Sequence, residues 1–302
     1  MSSNRIEKIL KNPKLLFLTL GHREFLNWMK DETYLKIAFR CSMGKKLNLS
    51  NPKSYSEKLQ WLKLYDRRPI YTSLVDKYEA KRIVGNIIGV KYIIPTLGVW
   101  NTFDEIDFNS LPNQFVLKCT HDSGGVIICK DKNKLDISKA KKTIEKCLKH
   151  SFYWGQREWP YKNVRPRIIA ETYMEDSVTK DLRDYKFFAF DGEVKALFIA
   201  TERQAEGETK FDFFDSNFNH LDFTNGHPNA EIMPTRPDNF ELMKELAGKL
   251  SKGIPQVRVD FYEVDGSVYF GEMTFSHWSG MMPFEPEEWD YIFGEWINLP
   301  SK

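Results

Sequence analysis

The stretch RVDFYEVDGSVYFGEMTF, residues 258–275, sets Arg258, Asp260, Glu272 and Thr274 among residues that otherwise alternate as strand. Two carboxylates, a guanidinium and a hydroxyl could hold a magnesium ion against phosphate oxygens, provided the chain brings them to one face. The turn decides that. A two-residue Asp265-Gly266 turn pairs Val264 with Ser267 and Asp260 with Gly271, which sends Asp260 and Glu272 to opposite faces. A three-residue loop, Val264-Asp265-Gly266, pairs Arg258 with Glu272 and Asp260 with Phe270. The four polar residues then share a face, and Val257, Val259, Phe261, Tyr269, Met273 and Phe275 pack on the other. A solvated strand face with a cross-strand Arg258/Glu272 pair would use the same residues without any metal.

A second stretch, QFVLKCTHDSGGVIICKD, reads as strands at 115–119 and 126–130 around the loop His121-Asp122-Ser123-Gly124-Gly125. Backbone N–H groups in such a loop can cradle a phosphate chain, and glycine lets the backbone come close. Lys118 precedes it and adds positive charge. Glycines between strands also serve as plain turns, and Lys77 in VDKYEAK is equally ambiguous alone. The order is more telling: a lysine before a strand, a lysine before a glycine-rich hairpin, then a late carboxylate hairpin.

These groups need elements to position them. The first 70 residues read as a helical extension, with KSYSEKLQWLKLYD (53–66) starting at Ser54 or Ser56 and carrying Leu59, Leu62 and Leu64 as an accessory layer. A helix ending near Gly85 or Gly89 leads to YIIPTLGVW, a strand broken by Pro95. A helix at 136–150 is capped by Asp136; RIIAETYMED and DLRDYKFFAFDGEVKALFIAT are strands. A further helix, 239–251, starts at Asp238 and turns Phe240, Met243, Leu246, Ala247 and Leu250 to one side. The fold class is α+β.

Composition narrows the setting. The 302 residues are 41% hydrophobic and 14% aromatic, enough for a large core, and 44 basic against 42 acidic residues give no overall charge that calls for nucleic acid. Cys41, Cys119, Cys129 and Cys147 lack CxxC spacing, which points to reduced thiols and a cytoplasmic protein. No apolar run is long enough to span a membrane. LLFLTL at 15–20, preceded by Lys8, Lys11 and Lys14, could help the protein sit on a membrane surface, but a buried helix is the favoured reading.

Taken together, VDKYEAK, Lys118 with HDSGG, IIAETYMED and RVDFY…FGEMTF resemble the ATP-grasp superfamily, whose two α+β subdomains clamp ATP. NPKSYSEKLQWLKLYDRRPIYTSLVDKY, DYKFFAFDGEV, VRVDFYEVDG and YFGEMTF resemble its TupA-like branch, associated with teichuronopeptide and capsular polysaccharide biosynthesis. The likeness runs from about residue 47 to the C-terminus, and it implies a catalytic domain at 71–302 with a lid subdomain at about 115–170. It implies that Lys77 and Lys118 hold nucleotide phosphates and that Ser123, Gly124 and Gly125 supply loop amides. Glu171, Tyr173 and Met174 fall at the adenine hinge, and Asp181, Arg183 and Lys186 near ribose and phosphate. Asp260 and Glu272 match metal-binding carboxylates. Arg258 matches a cation that stabilises the transferred phosphoryl group. Thr274 stands where many members have asparagine, and its hydroxyl can still bind a metal or its water.

The activity so implied is ATP- and Mg2+-dependent amide ligation through an acyl phosphate. It would join an amino acid or other amine to a uronic-acid carboxylate of a surface polysaccharide or its precursor, in a pathway whose glycosyltransferases are candidate partners. Arg203, Ser276, His277 and Ser279 lie where substrate contacts could form. His277 is the histidine best placed for acid–base work, or else packs on the core with Trp278. Phe152, Tyr153, Trp154 and Trp159 are candidates for sugar stacking or for core. Two other functions use the same nucleotide site: a kinase acting on a sugar hydroxyl, and a non-catalytic ATP-binding partner of glycosyltransferases.

Overall fold

The computed structural model describes residues 12–122, 124–177, 182–201 and 208–301. Helices α1 (Pro13–His22), α2 (Asp31–Met43), α3 (Tyr55–Tyr65), α4 (Ile70–Val75) and α5 (Glu79–Ile88) come first. Ser54 starts α3 through a capping box, its hydroxyl accepting from Glu57 N while the Glu57 carboxylate accepts from Ser54 N. No helix among the described residues is long and apolar enough to cross a membrane.

Strands β1 (Thr96–Trp100), β2 (Phe115–Cys119), β3 (Ile127–Cys129) and β4 (Ile168–Thr172) form a small antiparallel sheet in the order β1-β4-β2-β3. Helix α6 (Ile137–Leu148), capped by the Asp136 side chain, lays Ala140, Ile144 and Cys147 on Phe115, Leu117 and Cys119 of this sheet. The sheet thus begins at Thr96, before the expected lid boundary, because β1 pairs with β4. Helix α7 (Phe152–Gln156) lies between α6 and β4 in the chain.

Strands β5 (Asp184–Phe190), β6 (Glu193–Thr201), β7 (Lys210–Asp215), β8 (His220–Leu221), β9 (Val257–Val264) and β10 (Ser267–Thr274) form a larger antiparallel sheet, ordered β10-β9-β5-β6-β7-β8. Its two faces bury different partners. On one, Phe187, Val257, Val259 and Phe261 meet Phe240, Met243 and Leu246 of α8 (Phe240–Ser251), together with Tyr71, Leu74 and Val84 of α4 and α5. On the other, Phe188, Phe198, Phe211 and Phe213 meet Tyr55 and Leu59 of α3 and Phe293 of α9 (Glu288–Glu295). Helix α3 is therefore part of the core rather than a layer outside it.

The β9–β10 hairpin resolves the turn question by a route that neither sequence register contained. Asp265 and Gly266 have φ of 47° and 71°, and Val264 pairs with Ser267, so the turn has two residues. The ladder then slips between Phe270 and Glu272: Gly271 is an extra residue, a β-bulge, and beyond it Glu272 faces Asp260 and Thr274 faces Arg258. The short turn and the shared face coexist because the bulge resets the alternation. On the turn side of the bulge, the two-residue register pairs Phe270 with Phe261, so Phe270 is buried with Val268 while Tyr269 is half-buried. A Cβ at residue 271 would lie 3.1 Å from both the Asp260 carbonyl oxygen and the Tyr262 ring, a fit that favours glycine.

Candidate active site

Arg258 is the centre of the polar face made by β9 and β10. Its Nε and Nη2 donate to the two Asp260 oxygens at 2.7 and 2.8 Å, a bidentate pair, and Nη2 also reaches Glu272 Oε1 (3.2 Å) and Thr274 Oγ1 (3.0 Å). From the neighbouring strand β5, Lys186 donates to Asp260 and pairs with Asp184 at 2.6 Å. Asp260 is 1% exposed. Burial pushes its carboxyl upward, helped by Asp184 and Glu272, while Arg258 and Lys186 oppose the rise. The same Asp260 pushes Arg258 up against its own burial. Because Arg258 and Lys186, both cations, donate to Asp260, the charged pair is the form this geometry holds.

Glu272 is different in being open: its side chain is 40% exposed. Burial alone would raise its carboxyl, but Lys186, Arg258, Lys77 and Lys118 together hold it down at about 2. Lys77 lies between α4 and α5, which pack on the large sheet, and Lys118 lies on β2 of the small one, so cations from both regions act on Glu272. Lys118 on β2 donates to Glu171 Oε2 at 2.6 Å, and Lys81 on α5 pairs with Glu171 Oε1 at 2.5 Å. Glu171 on β4 is buried, and the two lysines outweigh that burial to hold its carboxyl at about 2. Lys77 donates to the Asp122 carbonyl at the head of the glycine loop, and its backbone N–H donates to Thr120 O at 3.0 Å. Gly125 takes φ of 64°, and a Cβ there would sit 2.7 Å from Cys147, so the loop backbone is packed directly on α6.

Beyond β10 the chain enters a tight turn in which Trp278, Ser279 and Gly280 all have positive φ, at 47°, 55° and 61°. His277 is buried at its start. Its Nδ1 accepts from Arg258 Nη1 at 2.8 Å and its Nε2 meets Asn225 Oδ1 at 3.1 Å. Burial pushes the imidazole well below its ordinary value, with Arg258 and Lys186 adding to the fall. With both nitrogens engaged and the ring neutral, His277 holds Arg258 and has no lone pair left for a substrate proton. The turn's carbonyls are held from α3. Gln60 Nε2 donates to Ser279 O (2.9 Å) and Gly280 O (3.0 Å), and Lys63 Nζ donates to Ser279 O (2.7 Å). Ser279 Oγ donates to the buried carboxylate of Glu158.

The expected residues therefore fall into groups. Lys186, Arg258, Asp260, Glu272 and Thr274 converge, while Lys118 is tied to Glu171 and Lys77 to the Asp122 carbonyl, both lysines acting on Glu272 through their charge. Glu171 meets this set through its side chain, as the anchor of Lys118, and Tyr173 and Met174 follow it at the end of β4, where Tyr173 Oη donates to Glu175 at 2.7 Å. Arg183 hydrogen-bonds Tyr185, which packs on the α8 side of the sheet, and so is not drawn into the Lys186 cluster. Ser276 is buried, with its carbonyl accepting from Ser279 N at 2.8 Å. Ser123, Asp181 and Arg203 lie outside the described residues. Tyr153 is core, its ring buried and its hydroxyl bonded to Asp31 at 2.7 Å, while Phe152 packs against Tyr161 with the rings tilted by 59°. Sequence reasoning missed Lys81, Asp184, Gln60, Lys63 and Asn225. Lys81 was legible as the second lysine of the VDKYEAK stretch that carries Lys77, and Asp184 as the same-face neighbour of Lys186; the other three carry no local signal.

Among solved structures the chain is similar to D-alanine–D-alanine ligase from Bacillus anthracis (17% identity over 67% of this chain and 57% of that one, TM-score 0.39). It is also similar to the ATP-grasp ligase PsnB complexed with minimal precursor (10%, 84% and 68%, TM-score 0.42). A third is N5-carboxyaminoimidazole synthase from Aspergillus clavatus (14%, 68% and 46%, TM-score 0.38). The chain spans little more than half the length of the first of these. No curated protein matches it. The family described as TupA-like ATPgrasp matches residues 57–298, a span that opens inside α3 and takes in both sheets, the Gly271 bulge and the turn after β10. On that match the chain belongs to the TupA-like ATP-grasp family.

Proposed function

We propose that the protein is an ATP-dependent carboxylate–amine ligase, and that it joins an amino acid or other amine to a uronic-acid carboxylate in the making of a bacterial surface polysaccharide. The observation that carries the reading is Arg258, bidentate on Asp260 with Glu272 and Thr274 beside it, in a chain of this family. A mere nucleotide binder has little use for a guanidinium aimed where charge develops on a transferred phosphoryl group.

Lys77 and Lys118 neutralise phosphate oxygens, aided by the amides of Gly124 and Gly125, with Ser123 completing the loop. Backbone groups at Tyr173 and Met174 take the adenine, and Asp181 and Arg183 lie toward the ribose. Asp260, Glu272 and Thr274 are hard oxygen donors on one face, with Glu272 ionised and open, and they fit a magnesium ion. Such an ion supplies charge neutralisation at the phosphates. With the charge balanced, the acceptor carboxylate can approach the terminal phosphorus; its oxygen–phosphorus bond forms as the bond to the ADP oxygen breaks. The amine then attacks the activated carbonyl, phosphate leaves, and the ammonium formed gives its proton to phosphate or solvent. The 120–125 loop keeps water from the acyl phosphate. Acceptor contacts are assigned to Arg203, Ser276 and Ser279, and His277 supports Arg258. The compartment we propose is the cytoplasm, in keeping with ATP as substrate and with four free thiols. Association with glycosyltransferases or with the membrane surface would bring it to its acceptor.

The test is ADP release from Mg-ATP by the purified protein, with pooled amino acids and a panel of uronic-acid saccharides, against Asp260→Asn. Release that needs both a uronate and an amine supports the ligase. Release with saccharide alone and a stable phosphosugar refutes it in favour of a kinase.

A further inference from the structure

Trp278 is 40% exposed although it lies one residue beyond buried His277 and directly behind the catalytic hairpin. It is held with unusual care. Its own φ is positive, and so are those of the next two residues, a run that costs free energy at each non-glycine position. One side of the indole rests on Gly226, where a Cβ would stand 2.8 Å from Nε1, and Nε1 donates to Asn225 O at 3.3 Å. Phe211 stacks nearby at 6.2 Å and 27°, and the His227 ring lies at 5.7 Å.

The brace beneath the turn is as costly as the turn. Lys63 is 3% exposed, and burial lowers its ammonium to about 8 against the opposing charge of Glu158. It donates to Gln60 Oε1, Gln156 O and Ser279 O, while Gln60 donates to Ser279 O and Gly280 O. Burying a charge to fix two carbonyls of a surface turn makes sense where the turn's conformation is needed. The product of that conformation is a flat indole face, fixed in direction, next to the residue that orients Arg258.

We propose that the indole of Trp278 is the stacking surface for the pyranose ring of the acceptor, presented by the left-handed turn that Gln60 and Lys63 lock from α3. A pyranose offers a face of C–H groups that packs on an indole, and a carboxylate at the ring edge would then point toward Arg258. Gln60 and Lys63 are positioning residues: they touch the turn and leave the ligand to Trp278. The inference rests on the acceptor being a saccharide, as proposed above.

The test is calorimetric titration of the full chain, saturated with Mg2+ and a non-hydrolysable ATP analogue, with glucuronate- and galacturonate-containing tetrasaccharides. Trp278→Leu keeps an apolar side chain and loses the flat ring; Trp278→Phe keeps a ring. Leucine should weaken saccharide binding about tenfold or more and phenylalanine only a few-fold, with the nucleotide affinity unchanged in both. Lys63→Met should follow leucine, and should leave the affinity for the ATP analogue intact in a protein that still unfolds cooperatively. Equal saccharide affinity in wild type and Trp278→Leu would overturn the stacking while leaving the ligase reading in place. Failure of the wild type to bind any of the saccharides would overturn the stacking and the uronate acceptor together, whereas amine- and carboxylate-dependent ADP release would still identify the ligase.

Discussion

Replacing Glu171 by glutamine removes the one charge that Lys81 and Lys118 share. The two lysine side chains are 12% and 22% exposed, and the carboxylate between them 6%. Its carboxyl is drawn from 4.5 to about 2, which corresponds to about 3 kcal/mol of preference for the charged form in the folded protein. A depressed carboxylate value stabilises the fold fully above the unfolded value and loses that stabilisation as pH falls through the folded one. The contribution should therefore be about 3 kcal/mol at pH 7 and about half that near pH 3. Glu171→Gln should cost about 2–4 kcal/mol at pH 7, since it strands two half-buried cations, and the gap from wild type should narrow in acid. Urea denaturation of both proteins at pH 7 and pH 3, followed by tryptophan fluorescence, measures this. A variant as stable as wild type at pH 7, or a gap that does not shrink in acid, would refute the idea that Glu171 is the electrostatic anchor of the small sheet.

Asp260→Asn and Glu272→Gln should each cut ADP release about a hundredfold or more while thermal unfolding stays cooperative; activity near wild type would remove these carboxylates from the catalytic set. His277→Ala should lower turnover by about 10- to 100-fold through a loosened Arg258, with ATP affinity unchanged. Because burial keeps the His277 ring neutral, the wild-type pH–rate profile should show no limb near pH 6.5 that disappears in this variant. Deleting Gly271 removes the bulge but keeps Asp260 opposite Glu272, so the protein should fold, with buried Phe270 unchanged by hydrogen exchange. Deleting Tyr269 should shift the register and unfold the hairpin; equal tolerance of both deletions would contradict the bulge as the register-setting feature.

Much of the fold could be read from local pattern. The cap at Asp136 and the apolar side of 240–251 each depend on neighbours within a few residues, and they stand where the periodicity put them. The hairpin shows where such reading stops. Asp265-Gly266 announced the turn correctly, yet strict alternation from that turn gave the wrong faces, because one unpaired residue inverts everything beyond it. Gly271 was the available signal, an isolated glycine in a strand, which is where bulges often sit. Lys77 and Lys118 were visible through their context, whereas Gln60, Lys63, Glu158 and Asn225 act on residues 52 to more than 200 positions away. Nothing in a stretch such as EKLQWLKLY distinguishes a glutamine that donates to Gly280 from one that faces water.

The contact between α3 and the Ser279–Gly280 carbonyls joins residues 216 to 220 positions apart. Ser56 N also donates to Asp290, and Lys58 to Gly294 and Ile297 carbonyls, so one early helix is sewn to the last-made part of the described chain. Closing so long a loop is slow and gives nothing back until both ends are present. During synthesis the β9–β10 hairpin can therefore emerge and pair while the turn after it still lacks its brace. The turn should reach its final conformation as a late folding event, after residues near 297 have left the ribosome, so that a partly made chain would not carry the proposed acceptor surface.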